Sequence, residues 1–351
     1  MIVYWFLLFI ILIIQLIPVK AQKEYLTRLK FSLFFLFLYG AARVDFGNDY
    51  ASYLNYFEGV KLYGIEFNER MELGFYYLNK LLPSFRSLLV VQTLLLCIAY
   101  YCLFKWYIPA KWAWLGFLLL FLNPQFNIFF MLVAMRNGIA VSIFIISTYF
   151  IFKKKLLPFA ILIFIAFWFH TSVILYAPIA YLVGNLKPIT KKSMIIWLSI
   201  MGVLVIGSNT FILDYIEVFT ANYFDRYSTY VEMANEKDKG AGVLVSIFAF
   251  LTSGIILYYF KNKKISSEES MIVNFTLLFL LAFLLGALNM RLSQYFSPFF
   301  VVGSIILLYK RGERFLKHIY FAVIFMYLFY SLKLYVENPY FNFNTYHSIF
   351  M

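Results

Sequence analysis

Long apolar runs separated by short polar segments govern this chain from end to end. Ile2–Val19, Leu88–Phe104 and Val243–Phe260 are each long enough, at a rise of about 1.5 Å per residue, to cross roughly 30 Å of hydrocarbon as α-helices. The pattern is not the short alternating one of a membrane β-barrel. Three other runs, Trp112–Leu122, Leu156–Phe169 and Ser172–Gly184, lie near the short limit for crossing, which predicts thinned membrane or broken helices there. Glu72–Leu82, just ahead of the span at Leu88, reads as a half-helix at the outer face.

The polar segments alternate in character. Lys20/Lys23/Arg28/Lys30, Lys105/Lys111, Lys153/Lys154/Lys155, Lys187/Lys191/Lys192, Lys261/Lys263/Lys264 and Lys310/Arg311/Arg314/Lys317 form basic clusters, each marking a cytoplasmic turn. The intervening segments fall outside: Arg43–Arg70, the region before Arg136, the neighbourhood of His170, Asn209–Gly240, Asn289–Arg291 and the tail from Leu334. This alternation predicts an all-α polytopic membrane protein of about twelve transmembrane helices with both termini outside. The run Met1–Val19 has no basic region before it and no small-residue cleavage site after it, so it reads as a retained span.

Composition agrees with this picture. The chain is 63% hydrophobic and 13% charged, with a mean hydropathy of +0.80, well outside the range of soluble domains. A formal net charge of +13 would suit nucleic acid only if the cations shared one face; lying between spans, they read as topology signals. The longest polar stretches, about thirty residues each, are too short to bury a core of their own. The whole of 1–351 therefore reads as a single transmembrane domain with outer loops at about 43–72 and 209–240. Cys97 and Cys102 fall five residues apart on one predicted helix, point in different directions and read as core packing.

Candidate chemistry is confined to the outer side. Arg43-Val-Asp-Phe-Gly-Asn-Asp-Tyr50 interrupts the apolar sequence with acids, an amide and a tyrosine that need water or a ligand to satisfy them. Asp45, Asp49, Glu72, Arg136, His170 and Arg291 all stand beside or inside apolar runs. An uncompensated cation at Arg136 would cost roughly 2.5–3.5 kcal/mol on insertion scales, which points it at a polar cavity. Each residue has a plainer reading: the arginines as anchors at the outer headgroups, His170 bonded to a helix-end carbonyl, the acids in a solvated loop. Two arginines, a histidine and carboxylates together make a site for an anionic lipid headgroup with a base beside it. Nucleotide-binding loops, zinc spacings and a nucleophile elbow are absent from the sequence.

Phe46-Gly-Asn-Asp-Tyr50 with Tyr53 and Tyr56 downstream, Glu72-Leu-Gly-Phe-Tyr-Tyr-Leu, Arg136-Asn-Gly-Ile-Ala and His170-Thr-Ser-Val-Ile, in that order, resemble the EpsG family of Wzy-type polysaccharide polymerases. The likeness covers roughly residues 40–180, and it departs from the usual family form at Asn48, where Thr is common, and at Leu73, where Pro is common. The resemblance implies a metal-independent glycosyltransferase of GT-C-like fold, acting without a cofactor at the outer face of the bacterial cytoplasmic membrane. It would join undecaprenyl-diphosphate-linked oligosaccharide repeat units into an O-antigen, capsule or exopolysaccharide, with a separate chain-length regulator as partner.

On that reading Arg136 and Arg291 hold the diphosphate through forked donors. Asp49 is the first choice of base by analogy with GT-C enzymes and His170 the second, while Glu72 orients the acceptor or pairs with an arginine. Tyr50, with Tyr53, Tyr56, Tyr223, Tyr227 and Tyr230, is placed to stack on sugars, although tyrosines gather at membrane interfaces regardless of ligand. A lipid-linked oligosaccharide flippase, an O-antigen-type ligase and an acyltransferase are the rival classes. The flippase would carry ionisable groups along a path between two related halves, and no repeat of one half in the other is evident.

Overall fold

A computed structural model describes residues 2–62, 71–123, 128–186, 189–207, 239–261, 263–284, 290–310, 313–337 and 346–348. The described chain is α-helical apart from a two-stranded pairing. It divides into two compact units, Met1–Ile179 with Tyr330–Met351, and Ala180–Phe329.

The first unit holds α1 (Ile2–Leu16), α2 (Gln22–Ala41), strand β1 (Arg43–Val44), α3 (Tyr50–Leu62), α4 (Leu73–Leu81) and α5 (Phe85–Tyr107). A 3-10 turn at Ala110–Trp112 then leads into α6 (Ala113–Leu122), α7 (Ile128–Val133), α8 (Met135–Phe152), α9 (Leu156–Phe167) and the first part of α10 (Val173–Gly184). Helix α5 packs between α2 and α8, and α8 lies along α9. Ser84 caps α5 by accepting from the Ser87 N–H, which satisfies an orphan donor at the start of that helix.

Among the described residues, three helices are long and apolar enough to cross a membrane: Phe85–Tyr107, Met135–Phe152 and Arg314–Lys333. Six shorter apolar helices accompany them, among them Leu156–Phe167 and Val173–Gly184, two of the runs whose length predicted incomplete crossing. The half-helix expected at Glu72–Leu82 is α4, bounded by Glu72 and Leu82 as its caps.

In the second unit, α11 (Lys191–Gly207), α12 (Lys239–Phe260) and α13 (Ser267–Leu284) pack on one another, and α13 pairs with α14 (Met290–Tyr309). Thr276 Oγ1 reaches the Phe299 carbonyl at 3.1 Å across that last pair. Helix α15 (Arg314–Glu337) carries the chain back into the first unit, where strand β2 (His347–Ser348) pairs antiparallel with β1, Arg43 opposite Ser348 and Val44 opposite His347. The ring of Tyr346 stacks on Tyr39, centroids 4.4 Å apart and 8° from parallel, and its hydroxyl donates to the Tyr39 carbonyl at 2.7 Å. The tail thus fastens the loop that opens the first polar segment.

Candidate functional site

The loop after β1 turns through Asp45 and Gly47, both with positive φ, 46° and 85°. Glycine suits that backbone at position 47, and a Cβ there would also lie 2.3 Å from Val133 Cγ2. The turn delivers Asp49 and Tyr50 to the start of α3, whose inner face packs Tyr50, Tyr53 and Phe57 with Phe75, Phe85, Leu88, Leu89 and Met135. Tyr50 stands edge-on to Phe85 at 5.2 Å and is 8% exposed, so the structure places it in packing rather than on an open face.

Glu72 occupies the N-cap position of α4 without capping that helix. Its carboxylate serves two other segments instead. Oε2 lies 2.5 Å from Arg136 Nη1, and Oε1 lies 3.0 Å from His170 Nδ1. The side chains are 10% exposed at Glu72, 8% at His170 and 25% at Arg136. Arg136 is in the first turn of α8, and His170 sits in the turn between α9 and α10 with its N–H donating to Ala166. Three segments far apart in sequence therefore meet at one carboxylate.

Burial alone would raise the Glu72 carboxyl, but the hydrogen bond from His170 and the charge of Arg136 outweigh it and hold the group at about 2. Glu72 is thus an ionised acceptor at neutral pH. The proton in its contact with the imidazole resides on Nδ1.

A backbone contact sets this meeting. The Gly74 N–H donates to the Trp168 carbonyl at 2.8 Å, and a Cβ on Gly74 would lie 2.7 Å from that oxygen. Only glycine lets the start of α4 sit flush on the end of α9. The spacing Glu-Leu-Gly is thereby explained: the glycine docks, and the glutamate two residues earlier reaches His170. Beside the contact lies an apolar groove of about 310 Å3, lined by Tyr77, Leu78 and Leu81 of α4, by Phe164 and Ile165 of α9 and by Trp168 at its C-cap.

Tyr53 joins the cluster by a side-chain hydrogen bond with Arg136. Asp49 lies one turn before Tyr53, its carbonyl accepting from the Tyr53 N–H, and its charge is felt at the Tyr53 hydroxyl. The structure accordingly brings Glu72, Arg136 and His170 into direct contact, with Tyr53 bonded to Arg136 and Asp49 just ahead of α3. Arg291 lies in the first turn of α14, in the second unit, and its side chain is outside the described residues. So are Tyr223, Tyr227 and Tyr230, along with most of the expected outer loop at 209–240.

Two residues without an assigned part in the sequence reading stand close behind the cluster. Arg43 is fully buried, and its guanidinium donates to Gly40 O, Gln92 Oε1, Leu132 O at 3.0 Å and Thr93 Oγ1 at 3.2 Å. Gln92, in the middle of α5, is 1% exposed. The available signal was one amide inside an otherwise apolar span.

The family model described as EpsG family matches residues 25–348, a range that contains every residue of this cluster. No curated protein and no solved structure matches the chain.

Proposed function

Since the chain belongs to the EpsG family, membrane proteins of polysaccharide-polymerase type, we propose that it transfers a glycan from an undecaprenyl diphosphate carrier to the non-carrier end of another lipid-linked repeat unit. The observation that carries this reading is the single carboxylate of Glu72 shared by Arg136 and His170. It couples a cation suited to a diphosphate with an imidazole suited to proton transfer.

In the reaction an acceptor hydroxyl attacks the anomeric carbon of the donor. The bond from that carbon to the diphosphate oxygen breaks, and the hydroxyl proton passes to a base. Arg136, with Arg291 as its proposed second, steadies the negative charge that develops on the leaving diphosphate. The geometry favours His170 as the base over Asp49. Glu72 engages Nδ1 and stabilises the imidazolium that forms, the part an aspartate plays in a hydrolase triad, so proton exchange falls to Nε2. Glu72, held at about 2, is too weak a base for the task itself and acts as the orienting group.

Charge distribution supports placing this chemistry at the outer face of a bacterial cytoplasmic membrane. Helix α8 runs from Arg136 to the Lys153–Lys155 turn, and α9 runs back from that turn towards His170. Arg136 and His170 thus share the end opposite the lysines, the outer end under the positive-inside rule. The groove between α4 and α9, lined by exposed apolar side chains such as Leu81 and Phe164, is suited to the first part of an isoprenoid chain beside the cluster. A GT-C-like arrangement of about twelve spans remains the architecture proposed for the whole chain. The test is extension of a purified lipid-diphosphate-linked repeat unit by reconstituted protein. Products longer than one repeat support the reading, and an unextended substrate with active, folded protein contradicts it.

A further inference from the structure

Met131 and Leu132 lie in α7, just before the break at Ala134 (φ −80°, ψ 73°) that separates α7 from α8. In an unbroken helix their carbonyls would accept from the N–H groups of Met135 and Arg136, four residues on. Here other donors take them. Gln92 Nε2 donates to Met131 O at 2.6 Å and to Leu132 O at 3.2 Å, and Arg43 Nη2 donates to Leu132 O at 3.0 Å. Arg43 in turn donates to Gln92 Oε1, which fixes the amide so that its NH2 faces the break. A Cβ at Gly138 would lie 2.3 Å from Met131 O, so the close fold of α7 on α8 depends on glycine at that position.

Among the described residues the partners of Arg43 are all neutral oxygens, with no carboxylate among them. A buried guanidinium without a counter-charge is unfavourable, and an ion-pairing role does not account for it. Its geometry does. Several acceptors converge on one point, and only a planar fork of donors serves them together; an apolar residue would leave the Leu132 carbonyl and the Gln92 amide oxygen without those bonds in a dry interior.

We infer that Arg43 and Gln92 are positioning residues: by occupying the Met131 and Leu132 carbonyls they keep the α7–α8 break open and hold Arg136 in the first turn of α8 against Glu72. This rests on the reading of Arg136, Glu72 and His170 as the working cluster. Closing the break would return the Arg136 N–H to Leu132 O and rotate the guanidinium away from the carboxylate.

The test uses the full chain in lipid nanodiscs with 15N-labelled histidine. There are three histidines in the sequence, so the His170 titration can be followed by NMR alongside glycan extension. Arg136→Lys supplies the reference displacement of that titration. Gln92→Glu keeps an acceptor for Arg43 but loses the donor to both carbonyls, and Arg43→Lys loses the fork. Thr93→Val removes an Arg43 contact that touches neither carbonyl. The ionisable groups of the cluster, Glu72, Arg136, Tyr53 and Asp49, are unchanged in these last three variants.

Gln92→Glu and Arg43→Lys should displace the His170 titration by about half a pH unit or more, in the direction given by Arg136→Lys. They should also lower turnover at least about tenfold while KM stays within about threefold, with Thr93→Val matching wild type. If Arg43→Lys does not accumulate, Gln92→Glu decides alone. A wild-type His170 titration in folded Gln92→Glu would overturn the inference, whatever its turnover. A displaced titration in a protein whose wild type extends no glycan would leave the clamp standing and remove the polymerase reading.

Discussion

The Gly74 N–H donates to the Trp168 carbonyl at 2.8 Å, and this backbone bond sets the distance between Glu72, two residues before Gly74, and His170, two residues after Trp168. The ion pair and the imidazole contact are therefore consequences of how closely α4 meets the end of α9. A residue that carries no chemistry controls the residues that do.

Gly74→Ala should separate the two segments, because the added methyl would lie 2.7 Å from Trp168 O and 2.9 Å from Trp168 Cβ. Relief of an overpacked contact of this kind costs about 1–3 kcal/mol. The expected outcome is a loss of polymer of at least about tenfold with normal protein in the membrane, read from the glycan ladder and an immunoblot. An unchanged ladder would show that the docking is not required.

The acid limb of stability should report Glu72. Its folded carboxyl sits at about 2 against an ordinary 4.5, so the group contributes stability above about 4.5 that is lost as pH falls towards 2. The difference amounts to about 3 kcal/mol at neutral pH. Glu72→Gln should lower the thermal midpoint of the purified protein at pH 7, and the gap from wild type should close as the pH is taken down through that window. A gap that persists at pH 2 would mean that the carboxylate charge is not what stabilises the cluster.

The choice of base separates two substitutions. His170→Gln should slow extension by about 10²–10⁴-fold, the usual contribution of a general base, while Asp49→Asn should stay within about tenfold of wild type. Initial rates with a purified repeat-unit donor measure this directly. The reverse ranking would return the role to Asp49.

Removal of the tail contact should loosen the first polar loop. Tyr346→Ala loses a parallel stack on Tyr39 and a hydrogen bond to its carbonyl, and Tyr346 also packs edge-on to Phe46 at 5.6 Å. A destabilisation of about 1–3 kcal/mol is expected from the stack and the bond together. Hydrogen exchange over residues 43–50 should rise. Unaltered exchange there would show that the loop holds itself.

Much of this site was legible in the sequence because ionisable groups beside apolar runs are costly and so stand out. Glu72, Arg136 and His170 were visible for that reason, and the half-helix at α4 followed from the polar entry at Glu72 into an apolar stretch too short to cross. The α7–α8 break was harder to read. The region before Arg136 reads only as an outer segment, Ile128–Phe152 carries no proline to mark a break, and the break depends on Arg43 and Gln92, which are remote in sequence. Gln92 looks like a single tolerated amide in α5, and Arg43 like the edge of a solvated loop, yet both are buried. Gly138 was the local trace of the break, intelligible only once Met131 O is seen against it. Arg291 stands out by the same cost argument as Arg136, but whether it faces the cluster is a matter of packing that spacing along the chain does not encode.

The most direct test of the account is the size distribution of undecaprenyl-linked glycans in host cells that lack the gene and carry wild type, Arg136→Ala or Lys154→Ala. The account predicts a ladder with wild type and with Lys154→Ala, and single repeat units on the outer face with the empty strain and with Arg136→Ala. A full ladder from Arg136→Ala, or single units held on the cytoplasmic side in the empty strain, would contradict it.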